Sequence, residues 1–251
     1  MAGHSKWANT KHRKARVDAK RGQIFSKLAK EIMIAARMGG GDPSANITLR
    51  TIVQKARSYN MPADNIDRAI KKGTGELESA ALEEIIYEGY APGGIAVLVC
   101  VLTDNKNRSV SEVRNVFSKN GGSMAGAGSV SHLFQRKGQI FVKAEGVHED
   151  HLLELILETG GEDMKRDADE YEILTEPATF MGVVEAISNQ GMEASSSELA
   201  FIPDTEIPVS DRKQAETLIR FVEQLEDLDD VQNVYPNFNI DDHILDAINE
   251  E

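Results

Sequence analysis

Cysteine occurs once in this 251-residue sequence, tryptophan once and proline seven times, and aromatic residues make up only 6%. A lone cysteine, Cys100, cannot build a disulfide framework or a thiolate zinc site, so a reducing, cytoplasmic compartment is expected. Its setting, Ile95-Ala-Val-Leu-Val-Cys-Val-Leu102, makes it a small buried hydrophobe rather than a nucleophile. That run is also the longest apolar one, well short of the ~20 residues that span a bilayer, so no membrane partner is expected. The basic start has no apolar stretch behind it and carries Ala2 where a myristoyl anchor needs glycine. Gly3-His4-Ser5-Lys6-Trp7 lacks the amphipathic period of a mitochondrial transit segment.

Catalytic signatures are equally scarce. No Gly-x-Ser-x-Gly elbow is present. Gly121-Gly-Ser-Met-Ala-Gly-Ala-Gly128 lacks the Gly-Lys-Ser/Thr ending of a phosphate loop and breaks the dinucleotide fingerprint at Ser131, which leaves a mobile loop as its reading. His148-Glu-Asp-His151 spaces its histidines by three where the zincin pattern needs four, so it reads as the solvated acidic start of a helix. The expectation is a protein that is not an enzyme and holds no cofactor or metal.

What the sequence does have is charge, unevenly placed. The formal net charge of −13 argues on its face against a polyanionic partner. Residues 1–75, however, hold 16 Lys and Arg against five acids, a net of +11, which leaves −24 for the remainder. Such polarity points to nucleic acid at one end only. Residues 1–30 alone carry nine cations opposed by Asp18. Within them Lys6, Trp7, Lys11, His12, Arg13, Lys14, Arg16, Lys20 and Arg21 are the candidate nucleic-acid contacts. Lysine and arginine neutralise phosphates and release counterions, and the indole of Trp7 suits stacking on an unpaired base. The plainer alternative is a solvated basic face with Trp7 tucked into a helical domain.

From Ile24 the apolar residues Ile24, Leu28 and Ile32 predict a helix that runs to Met38 and stops at Gly39-Gly-Gly41. Leu49, Ile52, Val53 and Ala56 predict a second, and Asn60-Met-Pro62 opens a third that Lys71-Lys-Gly73 ends. The short turn between the last two could serve a helix-turn-helix, but no exposed Arg, Asn or Gln cluster is aimed at base edges. Strands are predicted at 85–90 and 95–102, followed by a helix from the capping box Ser109-Val-Ser-Glu112 and a strand around 129–134. Helix, turn and strand recur around Leu152–Leu157, Phe180–Ile187 and Ala215–Tyr235, and the tail from Asp241 is expected to fray. The pattern predicts an α+β class: a helical N-terminal domain plus two ferredoxin-like α+β sandwich domains, either in series or one inserted in the other. Asn105, Lys106, Asn107 and Arg108, between a buried strand and a helix start, form either a phosphate-binding turn or a polar turn with an Asx cap.

Four segments carry a resemblance: Met1-Ala-Gly-His-Ser-Lys-Trp-Ala-Asn-Thr-Lys-His-Arg-Lys14, Ile86-Tyr-Glu-Gly-Tyr-Ala-Pro-Gly-Gly94, Thr103-Asp-Asn-Lys-Asn-Arg108 and Val231-Gln-Asn-Val-Tyr-Pro-Asn237. Together they resemble the YebC/PmpR family of bacterial regulators over nearly the whole chain. Thr10, where isoleucine is commoner, and Met124-Ala-Gly-Ala127 are small departures. The resemblance implies a basic helical domain over 1–78, a discontinuous α+β domain of 79–135 and 203–241, an inserted α+β domain over 136–202 and an acidic tail over 242–251. It also implies a cytoplasmic, DNA-binding transcriptional regulator. Some relatives resemble ribosome-associated translation factors, which would make ribosomal RNA the ligand. A protein partner for the acidic domains is a third reading.

Overall fold

The computed structural model describes residues 21–167 and 169–249. Three helices come first: α1 (Arg21–Gly39), α2 (Ile47–Ser58) and α3 (Ala63–Thr74). Apolar residues three and four apart put Leu28, Ile32, Ala35 and Ala36 of α1 on one face, against Leu49, Val53 and Ala56 of α2 and Ile66 and Ala69 of α3. Asn46 joins α1 to α2. Its side-chain oxygen accepts from Leu49 N at the start of α2, while its amide nitrogen donates to Ala35 O and Gly40 O, both at 2.8 Å, at the end of α1.

The end of α3 differs from the expectation. Helix continues through Gly73, and the left-handed cap is Gly75 at φ +84. Gly73 serves packing instead: a Cβ there would lie 2.4 Å from Met33 O and 2.8 Å from Ala36 Cβ, so only glycine lets α3 approach α1 this closely.

The rest of the chain is α+β. In order come β1 (Glu83–Ala91), β2 (Ile95–Thr103), α4 (Lys106–Lys119), β3 (Ser123–Ala125), β4 (Phe134–Lys143), α5 (Glu149–Thr159), β5 (Gly161–Asp167), β6 (Glu170–Thr175), α6 (Phe180–Asn189) and β7 (Ala194–Pro203). After these follow β8 (Ile207–Val209), α7 (Arg212–Glu226), β9 (Val231–Pro236), β10 (Phe238–Ile240) and α8 (Asp242–Asn249). One sheet has the order β3-β1-β2-β9, the other β5-β6-β4-β7. Among the described residues, contacts divide the chain into two compact units, one of 21–127 and 217–234, the other of 128–216 and 235–249.

In the first unit β1 and β2 form an antiparallel hairpin whose turn uses Gly93 and Gly94 at positive φ. Helices α4 and α7 meet edge to face through Phe117 and Phe221, with ring centres 5.0 Å apart. In the second unit the βαββαβ run from β4 to β7 gives the ferredoxin-like order. Its core joins Ile140, Val142, Tyr171 and Ile173 of the sheet to Leu152 and Ile156 of α5 and Phe180, Val183 and Ile187 of α6. A parallel pair, β8 with β10, completes that unit.

Several local expectations are corrected. Helix α4 starts at Lys106 rather than Ser109, because the Asn105 side chain accepts from Arg108 N and caps the helix there. Ser131–Leu133 is a 3-10 turn and the strand begins at Phe134; Val130, Leu133 and Phe134 do not alternate as a strand requires. The glycine-rich stretch is not simply a loop, since Ser123–Ala125 pairs with Glu88–Tyr90 of β1. The tail forms α8, with Ile244 and Leu245 buried. Cys100 is only half-buried, because its cross-strand neighbour is Ile86, itself 45% exposed.

Candidate nucleic-acid interface

Eight of the candidate contacts, Lys6, Trp7, Lys11, His12, Arg13, Lys14, Arg16 and Lys20, lie outside the described residues, and Arg21 is the first residue of α1. The structure therefore bears on the basic segment through the helix into which it runs. Gln23, Lys27 and Lys30 recur at helical spacing on one stripe of α1. The stripe meets the C-terminal end of α7 and the turn after it. Gln23 Nε2 donates to Asp227 O at 3.0 Å, Lys27 Nζ to Glu226 O at 2.5 Å and Lys30 Nζ to Asp229 O at 3.1 Å. Helix α7 has no cation in its own last turn. The lysines of α1 thus supply the positive charge that a helix C-terminus, with its unpaired carbonyls, attracts.

At the end of this stripe sits Asp230, whose side chain is 2% exposed. One carboxylate oxygen, Oδ1, accepts from Lys30 Nζ at 2.7 Å and from Arg108 Nη2 at 3.0 Å. The other, Oδ2, accepts from Ser109 Oγ at 2.7 Å, Thr103 Oγ1 at 2.9 Å and Arg108 Nη2 at 2.7 Å. Leu102 N donates to the Asp230 carbonyl at 2.8 Å, tying the same residue to β2. Burial by itself raises the pKa of this carboxyl. Hydrogen bonds from Lys30, Ser109, Arg108 and Thr103 overcome that and hold it well below the usual carboxylate range. Arg108 is driven the other way, to an even more persistent cation, by its bonds to Asp230 and Asp104.

The turn over Asn105–Arg108 is brought together at the start of α4, with its groups engaged by the chain itself. Asn105 caps the helix, Lys106 Nζ pairs with Glu83 at 2.5 Å, and Arg108 bridges Asp104 and Asp230; Asn107 is exposed. Sequence reasoning missed Gln23, Lys27, Lys30 and Asp230 as a set, and it placed Ser109 at a cap when its hydroxyl faces Asp230. The available signal was the spacing of a glutamine and two lysines on one helical stripe, together with the acid-rich Asp227-Leu-Asp-Asp230.

Elsewhere on the helical unit Arg57, Arg68 and Lys71 are exposed, but so are Asp64 and Asp67 near the start of α3. In a helix-turn-helix that end reads bases, and carboxylates there repel the flanking phosphates. His148, Asp150 and His151 lie exposed at the start of α5. Among the described residues no group of three or more His, Cys, Asp or Glu is placed to hold a metal ion, and no helix is long and apolar enough to cross a membrane.

Two family models match the sequence: the TACO1/YebC protein N-terminal domain over residues 5–76, and the TACO1/YebC second and third domain over residues 82–238. A protein of Natranaerobius thermophilus named "Probable transcriptional regulatory protein" is 52% identical over 250 residues, 98% of this chain and 100% of its own. One of the same name from Syntrophobacter fumaroxidans is 50% identical over 248 residues, 99% of this chain and 100% of its own. The crystal structure of a conserved hypothetical protein from Aquifex aeolicus matches with a TM-score of 0.83 at 47% identity, covering 92% of this chain and 96% of that one.

Proposed function

Because the chain belongs to the TACO1/YebC family, we propose that it is a nucleic-acid-binding regulatory protein, a transcriptional regulator that grips DNA through its basic N-terminal domain. The observation that carries this reading is the charge polarity, net +11 over residues 1–75 in a chain of −13. The grip is assigned to Lys6, Trp7, Lys11, His12, Arg13, Lys14, Arg16, Lys20 and Arg21, with the discontinuous domain (79–135, 203–241) as its mount. The inserted domain (136–202) presents acidic surface to protein or solvent. The turn over Asn105–Arg108 is a lesser candidate for phosphate, since Arg108 would first have to leave two carboxylates. A titration of a labelled DNA duplex against salt tests the reading. Affinity falling steeply with salt in the wild type, with a shallower slope in Lys11→Glu/Arg13→Glu/Lys14→Glu, is expected. A slope near zero in the wild type would sink it.

A second reading has its own support: the exposed Asp64 and Asp67 of α3 disfavour base readout from the groove. A grip of that kind suits folded RNA, and the protein is then a ribosome-associated translation factor binding ribosomal RNA. Co-sedimentation with ribosomes that the triple substitution abolishes would favour this reading over DNA.

A further inference from the structure

Asp230 sits where elements distant in sequence converge, and its partners divide into two sides. Lys30 belongs to α1, whereas Thr103, Arg108 and Ser109 belong to the end of β2 and the start of α4; the separations along the chain are 200 residues on the first side and 121 to 127 on the second. A carboxylate held by two cations and two hydroxyls makes strong, directional, charge-assisted bonds. None of these donors can move far without leaving a buried charge or a buried donor unpaired. The contacts of Gln23 and Lys27 extend the attachment over about two turns of α1, some ~10 Å at 1.5 Å per residue. Helix α1 is the continuation of the basic segment, so whatever fixes α1 fixes the point from which that segment extends.

We propose that Asp230 is a positioning residue for the nucleic-acid grip: it locks α1, from whose first turn the basic segment leads, to β2, α4 and the end of α7, without itself touching nucleic acid. The inference rests on the functional reading above. It differs from a competing possibility on the same residues, in which Lys30 and Arg108 are phosphate ligands that Asp230 holds in check. In that case removing the carboxylate releases two cations and tightens binding. In the lock it loosens α1 and weakens binding. The sign of one substitution therefore separates them.

The experiment uses the full chain with Asp230→Asn, close in shape and uncharged, and Lys30→Met, which keeps an apolar stem on α1 and leaves the Arg108 side of the site intact. Hydrogen exchange over residues 21–39 reads the lock directly. Fluorescence anisotropy against a labelled mixed-sequence DNA duplex, and against RNA of the same sequence, reads the grip. In both variants α1 exchanges faster and affinity falls on the order of tenfold, as follows if the competent arrangement drops to about a tenth of molecules. The salt slope stays as in the wild type because no phosphate contact is removed. Joining Gln23→Cys to Asp227→Cys with a bis-maleimide in a Cys100→Ser background restores affinity to Asp230→Asn, which a generally misfolded protein would not allow. Unchanged exchange in α1, or unchanged or tighter binding once α1 is released, overturns the proposal. A wild-type chain that binds neither probe overturns the functional reading and the lock's role in it together. A wild type that binds, with both variants binding as tightly as it does, overturns the lock and leaves that reading standing.

Discussion

Replacing Gly73 by alanine sets two effects of opposite sign against each other. Gly73 lies inside α3, and alanine in a helix interior is favoured over glycine by ~1 kcal/mol. Against that, the new Cβ would stand 2.4 Å from the carbonyl oxygen of Met33, 2.8 Å from Ala36 Cβ and 3.0 Å from Met33 Cα. Two of these three neighbours are backbone atoms of α1, so relief requires one helix to move away from the other by roughly 1 Å. Overpacking of this kind costs about 1–3 kcal/mol, and separating the helices also forfeits dispersion contacts along the seam. Packing wins, for a net loss of about 1–2 kcal/mol. Gly75→Ala is the control. Nothing lies within 4 Å of a Cβ there, but φ is +84, so its cost of about 1–2 kcal/mol comes from left-handed strain and stays local. Native-state hydrogen exchange is the assay, because it reads the opening of each helix separately. Gly73→Ala should speed exchange in both α3 and α1, and Gly75→Ala only at the end of α3. A Gly73→Ala protein with slower exchange than the wild type would refute the packing argument and leave helix propensity in charge.

Two further outcomes follow from the polar contacts. Asp230 has a depressed folded-state pKa, so its stabilising contribution is complete above the unfolded value of ~3.9 and is lost as pH falls from there toward the folded value. The gap in melting temperature between wild type and Asp230→Asn should hold steady from about pH 7 to 5 and shrink below about pH 4; a gap that widens in acid contradicts the assignment. Asn46→Ala removes a cap and two bonds to carbonyls of the α1 end and should cost ~2 kcal/mol in urea unfolding of the helical bundle, with Asn46→Ser, which keeps only the cap, in between.

Much of the fold could be read from the sequence because local periodicity encodes it. The stripe Ile24, Leu28 and Ile32 packs into the helical core, the apolar run from Ile95 to Leu102 is a strand buried but for Cys100, and the helix expected around Leu152–Leu157 forms, with Leu152 buried and Leu157 left exposed. Family membership was equally legible, since the opening motif and three short segments are specific combinations rather than compositions. What local pattern could not separate was two glycines with different jobs. Gly73 and Gly75 stand two apart at a helix end, and only the approach of α1 shows that the first packs and the second caps. Likewise Ser109-x-x-Glu112 satisfies the capping pattern, but Asn105 takes the cap and the Ser109 hydroxyl turns to a carboxylate 121 residues away. The lock as a whole was invisible for the same reason. Lys30 looked like one more cation in a basic segment, and its partner becomes apparent only when the chain closes a loop of 200 residues.

The central claim is that the basic N-terminal segment is what holds nucleic acid. In-cell crosslinking of the wild type and of Lys11→Glu/Arg13→Glu/Lys14→Glu, with bound DNA and RNA sequenced in parallel, tests it most directly. Discrete promoter DNA recovered with the wild type and lost with the variant is the predicted result, and ribosomal RNA lost in the same way would move the assignment to the translation-factor reading. Crosslinks that survive the triple charge reversal undiminished would contradict the claim for either nucleic acid.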